Sequence, residues 1–278
     1  MKSGLSALAA VVLWSSLAAL ATLLPNVPPF LKTGLGLILG SLISLPLVKF
    51  DVRRLRVNWK VLALGVYGLF GYHAALFIAL QTAPGVQANL VNYLWPLLIV
   101  VLAPFFIPTA KLSLKISLAA VIGFAGAALA VISGGTGDGG FAIGYLFALI
   151  AAVVWATYSL GTKVIGDFPT AAVGLFAFVA GGLAIMVHFL FETPTTLSST
   201  DWLLIGALAA GPLGAAFYFW DYAIKNGNPQ QIGLLSFLTP LLSTALLVVV
   251  SGAELSPLLA LSAALILAGA MLGRQRQP

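Results

Sequence analysis

Cysteine is absent from the 278 residues, which excludes a disulfide framework, a thiolate-bound metal and an iron–sulfur cluster. Charge is nearly as scarce. Only 7% of residues are Asp, Glu, Lys or Arg, against about 25% in a soluble domain. The 13 basic and 7 acidic side chains cannot coat 28.8 kDa of protein in water. A soluble enzyme, a nucleic-acid-binding module and a disordered tail are therefore excluded, whatever the pI of 9.7 implies. What is abundant is apolar: 61% of the chain is hydrophobic and the mean hydropathy is +1.09. The apolar runs last about twenty residues, enough to cross about 30 Å of hydrocarbon as helix. Strands of a membrane barrel would instead alternate apolar and polar residues about every second position. The chain reads as an all-α multi-pass membrane protein.

Ten transmembrane segments are expected, at 4–24, 30–48, 60–80, 86–106, 112–133, 141–163, 170–190, 202–223, 231–250 and 256–272. Their separators are helix breakers: Pro25 to Pro29, Pro84-Gly85, and the run Gly134 to Gly140. Lys and Arg collect in cytoplasmic loops. With the N-terminus placed inside, twelve of the 13 basic residues fall there: Lys2, Lys49, Arg53, Arg54, Arg56, Lys60, Lys111, Lys115, Lys163, Lys225, Arg274 and Arg276. Lys32 alone lies outside, with Asp138, Glu192, Asp201 and Glu254. The net charge of +6 is thus a topology signal with both termini cytoplasmic, and no nucleic-acid partner is implied.

The two halves resemble each other. Ala7 to Ser16 matches Ala148 to Thr157 at an offset of 141, and Ala79 to Leu98 matches Ala223 to Leu242 at 144. Trp59 pairs with Trp202, and Ala125-Gly126-Ala127 with Ala268-Gly269-Ala270, both at 143. We divide the chain into repeats 1–138 and 139–278 of five helices each. An odd helix count turns the second copy upside down. The loops agree: Lys49 to Lys60 is basic, whereas its partner Phe191 to Trp202 carries Glu192 and Asp201. Lys2 and the apolar run before Ala19-Leu20-Ala21 also fit a cleaved secretory signal. The mid-chain partner of that run argues for a membrane span.

No Asp, Glu, Lys or Arg is expected near the middle of a span, where a charge costs at least about 2.5–3.5 kcal/mol. Asp221 and Lys225 read as an interfacial pair, and His188 as an interfacial residue. Without buried cations a carrier of phosphorylated sugars is disfavoured; without a buried carboxylate, so is a proton-coupled pump. Asn89, Asn92, Tyr93 and Pro96 follow i, i+3, i+4, i+7 spacing and share one helix face. Two asparagines facing lipid would be unsatisfied, so that face points inward; it serves either interhelical hydrogen bonds or a zwitterion. Pro96 and its partner Pro240 read as hinges or static kinks. Tyr72 and His73 occupy the third span, where the histidine is a structural donor, a substrate contact or a proton acceptor. Trp155, Tyr158, Ser159 and Thr162 share a face of the sixth span. Phe217 and Trp220 lie on the eighth, and Trp95 flanks Pro96. Trp59, Trp202 and Tyr145 fit an interfacial belt. Gly135 to Gly140 satisfies G-x-G-x-x-G but follows a transmembrane helix, so it is no dinucleotide site. Gly36-x-x-x-Gly40 and Gly269-x-x-x-Gly273 read as helix-packing faces, the second able to support a homodimer through the lateral helices.

The inverted five-plus-five plan, the tryptophans in the first and sixth spans, and the segments Leu94-Trp95-Pro96-Leu97-Leu98 and Phe237-Leu238-Thr239-Pro240-Leu241-Leu242 together resemble the drug/metabolite transporter superfamily, EamA type. The aromatic content is similar to that of bacterial exporters of aromatic amino acids. The resemblance implies a central cavity among spans 1–4 and 6–9, spans 5 and 10 lateral, and outward movement of metabolites across the inner membrane. The expected function is facilitative export of neutral, aromatic or large apolar amino acids by alternating access. Efflux of lipophilic aromatic cations or other small metabolites is the alternative. Expected substrate contacts are Tyr72, His73, Asn89, Asn92, Tyr93, Trp95, Trp155, Tyr158, Phe217 and Trp220. No cofactor, metal or catalysis is expected, and the partners are a small-molecule substrate and the bilayer.

Overall fold

The computed structural model describes residues 2–83, 85–133, 143–251 and 257–273, and among these all regular elements are helical. The Gly134–Gly140 run, the repeat boundary at 138/139, Pro84, Asp138, Glu254, Arg274 and Arg276 lie outside the described residues.

Among the described residues six helices are long and apolar enough to span a bilayer: α1 (Lys2–Thr22), α2 (Pro29–Leu47), α3 (Trp59–Thr82), α7 (Ile143–Val164), α8 (Thr170–Phe191) and α9 (Ser199–Asn226). The others are α4 (Gly85–Asn92), α5 (Trp95–Phe106), α6 (Leu114–Ser133), α10 (Pro229–Ser236), α11 (Leu238–Ser251) and α12 (Pro257–Leu272). Local chemistry sets the starts. Asn58 caps α3 by accepting from Val61 N at 3.0 Å. Ser198 and Asp201 form a reciprocal capping box, which begins α9 earlier than apolarity alone indicates. Pro29 opens α2, where its missing N–H is free of cost.

Irregularities recur in both halves. A π-type turn interrupts α3 at Tyr67–Gly71 and α9 at Gly211–Ala215. The chain breaks between α4 and α5 at Tyr93 and Leu94, and between α10 and α11 at Phe237. Each pair is 144 residues apart, the offset read from sequence. Pro96 and Pro240 accordingly stand in the first turn of a new helix, not within a continuous bent one.

Equivalent helices pack against each other antiparallel. Along α2 and α8, Gly34 meets Ile185, Ile38 meets Gly181, and Ser44 meets Gly174. Along α6 and α12, Ala119 and Gly123 meet Gly269, and Gly126 meets Ile266. Ser262 Oγ donates to Gly126 O at 2.7 Å across the latter seam. The principal helix contacts map onto one another when the halves are exchanged: α1 on α9 answers α7 on α3, and α1 on α11 answers α7 on α5. Gly36 and Gly40 admit Leu213, as a packing face should. Gly269 and Gly273 are filled by Ala119, Gly123 and Leu234 of the same chain, so that stripe is already used and a homodimer would need another surface.

The exterior is apolar. Phe105, Phe191 and Leu203 are 82%, 81% and 74% exposed, a surface suited to acyl chains and costly in water. Trp59 and Trp202 are exposed at helix starts, consistent with a belt.

Candidate functional site

The interior holds a cavity of about 450 Å³, within the range of small-molecule sites. Its floor is aromatic. Trp14 meets Trp155 at 5.4 Å, Trp220 at 5.2 Å and Phe217 at 5.9 Å between ring centroids, and stands edge-on to Trp95. Trp155 also touches Tyr72 and Tyr158, each at 5.2 Å. Tilted and edge-to-face pairs of this kind each add about 0.5–1.5 kcal/mol beyond burial. From the floor the cavity runs to Pro29, Lys32 and Gln81. Tyr72 and Gln81 are separated by roughly 13 Å of helix rise. It therefore opens toward the end where α1 and α3 finish and Glu192 lies (the acidic end). The opposite, basic end carries Lys49 to Lys60, Lys163 and Lys225.

The π-type turns aim side chains at this space. Leu69, inside the first, offers its carbonyl to His73 Nδ1 at 2.6 Å. A carbonyl only accepts, so Nδ1 carries the hydrogen and Nε2 is left as the acceptor of the neutral ring. Pro212, inside the second, accepts from Trp14 Nε1 at 3.1 Å. Gly65 and Gly68 make room behind the floor: a Cβ on either would overlap Phe176 or Tyr158 respectively.

Polar groups in the cavity are few. Asn92 Nδ2 donates to Tyr72 OH at 3.3 Å, while Asn92 Oδ1 is buried with no partner among the described residues. Thr239 Oγ1 is likewise buried and unpartnered, and Thr239, like Asn92, is a lining residue of the cavity. An unmet buried polar atom costs about 1–3 kcal/mol.

The structure brings together Tyr72, His73, Asn89, Asn92, Tyr93, Trp95, Trp155 and Phe217 around the cavity. Tyr158 and Trp220 do not line it. They stand behind the floor, where Trp220 Nε1 donates to Ser159 Oγ at 3.0 Å. Sequence reasoning missed Trp14, Lys32, Thr33, Gln81 and Thr239 as lining residues. Trp14 was signalled by its repeat partner Trp155, and Lys32 by being the lone basic residue at the acidic end.

Asp221 and Lys225 form the expected pair at 2.7 Å, and the fully buried Asp221 side chain also accepts from Thr170 Oγ1 at 2.6 Å. His188 is 4% exposed and pairs with Glu192 at 2.9 Å. Glu192 also accepts from Phe30 N and Leu31 N, satisfying the start of α2. Lys32 places a cation in the cavity wall.

Beneath the floor the basic end is closed. Lys163 Nζ on α7 donates to Ile224 O at 3.1 Å, Lys225 O at 2.9 Å and Gly227 O at 2.7 Å. It thereby takes up carbonyls left open where α9 finishes. Lys225 Nζ on α9 reaches Phe168 O, in the connection between α7 and α8, at 3.1 Å.

Two stretches, 1–132 and 142–273, each match the EamA-like transporter family. A protein of Ancylobacter novellus named aromatic amino acid exporter YddG is 39% identical over 272 residues, covering 94% of this chain and 93% of that protein. A protein of the same name from Escherichia coli K12 is 29% identical over 282 residues, covering 92% and 90%. A solved crystal structure superposes with a TM-score of 0.91 at 37% identity, over 98% of this chain and 97% of that one.

Proposed function

The chain belongs to the EamA-like transporter family, and on that footing we propose that it exports neutral amino acids with aromatic or large apolar side chains. It is a multi-pass protein of the inner membrane. In this reading ten spans form two inverted five-helix repeats, 1–138 and 139–278, with both termini cytoplasmic. The antiparallel packing of equivalent helices and the one-sided distribution of Lys and Arg support that arrangement. The name shared by the relatives above supports the substrate class and the direction.

One observation carries the assignment: an aromatic floor and two residues with an unpartnered side-chain oxygen, Asn92 and Thr239, line the same cavity. The side chain of the substrate lies on Trp14, Tyr72, Trp155 and Phe217. Its ammonium meets acceptors at Asn92 Oδ1 and His73 Nε2, and its carboxylate meets the hydroxyl of Thr239. Expulsion of water from an apolar floor supplies affinity, and few fixed charges keep release easy.

Transport proceeds by alternating access. The cavity here faces the acidic, outer end while the seam between α7 and α9 is shut. Substrate enters when that seam parts, and the halves rock about the breaks beside Pro96 and Pro240. No Asp or Glu lines the cavity among the described residues, and Asp221 is held by Lys225 and Thr170 beneath the floor, which favours a facilitative process with no coupled ion.

Proteoliposomes preloaded with labelled phenylalanine test the reading. Protein-dependent release is expected, reduced at least about tenfold by Trp155→Ala, which removes several ring contacts worth about 0.5–1.5 kcal/mol each, and reduced also by His73→Ala. No protein-dependent release, or release indifferent to both substitutions, overturns it.

A further inference from the structure

The cavity mouth carries one cation. Lys32 lies in the first turn of α2 and lines the same hollow as the aromatic floor. Its Nζ donates to Leu24 O at 3.1 Å, which uses one of three ammonium hydrogens and leaves the charge in place. Among the described residues the ion pairs are Arg54–Asp51, His188–Glu192 and Lys225–Asp221, and Lys32 belongs to none of them. Glu192 is the acid that acts on Lys32 through space. Its oxygens, however, are already engaged by Phe30 N, Leu31 N and the His188 ring. Gln81 and Thr33 flank the same stretch of wall and offer neutral hydrogen bonds, not charge.

We propose that Lys32 is an exit station for the substrate carboxylate, and that it makes the cavity select molecules bearing a carboxylate over aromatic amines that lack one. This rests on the amino-acid reading above and adds to it a second point of contact, about 13 Å of helix rise beyond the floor. A zwitterion leaving the floor turns its carboxylate to the ammonium of Lys32 before it reaches water. An aromatic amine has the same ring and the same cationic group but meets only repulsion there. Unit charges about 6 Å apart in a partly hydrated protein site discriminate by roughly tenfold. Lys32 thereby disfavours the lipophilic cations that an aromatic cavity would otherwise accept.

The test uses the full-length protein and three probes: phenylalanine, phenethylamine and 3-phenylpropionate. Equilibrium binding of each is measured by calorimetry for the wild type, Lys32→Gln, Lys32→Glu and Lys32→Arg. Thermal unfolding is followed on the same samples. The expected result is that Lys32→Gln lowers the affinity ratio of phenylalanine to phenethylamine by roughly tenfold. Lys32→Glu lowers it further, Lys32→Arg restores it, and 3-phenylpropionate follows phenylalanine. A purely structural role at Leu24 would weaken all three probes alike. Ratios that do not move, or a wild type that prefers phenethylamine or binds no carboxylate probe, overturn the proposal. Release of labelled phenylalanine from proteoliposomes is scored separately: intact, Lys32-dependent binding without release defeats the export reading and leaves the carboxylate station standing.

Discussion

Lys163 gives the sharpest prediction, because under the alternating access proposed above its bonds would exist only while the basic end is shut. The perturbation is Lys163→Met, which keeps the apolar stem and deletes the ammonium. Three donations, to Ile224 O, Lys225 O and Gly227 O, are lost from the closed arrangement. Water re-forms most of them once the seam parts, so the net is taken as one charge-assisted bond, about 2 kcal/mol. That amounts to roughly thirtyfold in the equilibrium between closed and parted seams. The chain contains no cysteine, so a single introduced thiol reports cleanly. Thr162 is 3% exposed at this seam, and Thr162→Cys changes its volume little. Maleimide labelling from the cytoplasmic face should accelerate roughly thirtyfold in Thr162→Cys/Lys163→Met relative to Thr162→Cys alone, in keeping with the shift just estimated. Lys163→Arg should return it near the slow rate. An unchanged rate, or a rise that merely tracks a fall in thermal midpoint, refutes the reasoning.

Two further outcomes follow from the floor and its polar groups. Gly68→Ala drives a Cβ into the Tyr158 ring and should cost about 1–3 kcal/mol of stability, read as a lower midpoint of thermal unfolding. Gly206→Ala, with nothing within 4 Å of the added carbon, should leave that midpoint unchanged or raise it through helix propensity. Asn92→Leu removes an unpartnered buried oxygen but also the amide donor to Tyr72 OH, so the two effects on stability oppose each other and the midpoint should shift little, while phenylalanine release falls at least about tenfold, the loss of one hydrogen bond to a charged group. Equal losses of stability and transport would deny Asn92 its role toward the substrate.

Much of this architecture is written in local chemistry. Twenty-residue apolar runs and proline or glycine breaks place the helices, since a membrane leaves the backbone no alternative to bonding itself. The duplication was equally legible, because Trp and Pro anchors keep their offsets through divergence. Asn89, Asn92 and Tyr93, which the spacing puts on one face, line the cavity, as does Trp155. Other features depend on distant contacts that no window of sequence contains. Asp221 has its Lys225 partner one turn along α9, but the Thr170 hydroxyl that also bonds it comes from the start of α8, 51 residues away in sequence. Trp220 lies three residues beyond Phe217 and shares its helix face, yet Ser159 draws its indole behind the floor. The π-type turn at Gly211–Ala215 had a partial signal in Gly211-Pro212, whereas Tyr67–Gly71 had only its glycines. Trp14 was visible as a duplication anchor, and only the folded chain shows that the anchor is also the centre of the floor.

The paired π-type turns have one more consequence. Such a turn is a single residue inserted into a helix, and at 3.6 residues per turn one residue swings everything after it by about 100° about the axis. In α3 the residues after the turn are Tyr72 and His73; in α9 they are Phe217 and Trp220. Deleting one residue from Gly211–Ala215 would therefore wind Phe217 away from the hollow and Trp220 away from Ser159, and leave Tyr72 and His73 where they stand. Part of the aromatic lining thus owes its convergence to two miscounted helices, and correcting the count in either would turn that helix's share away from Trp14 and Trp155.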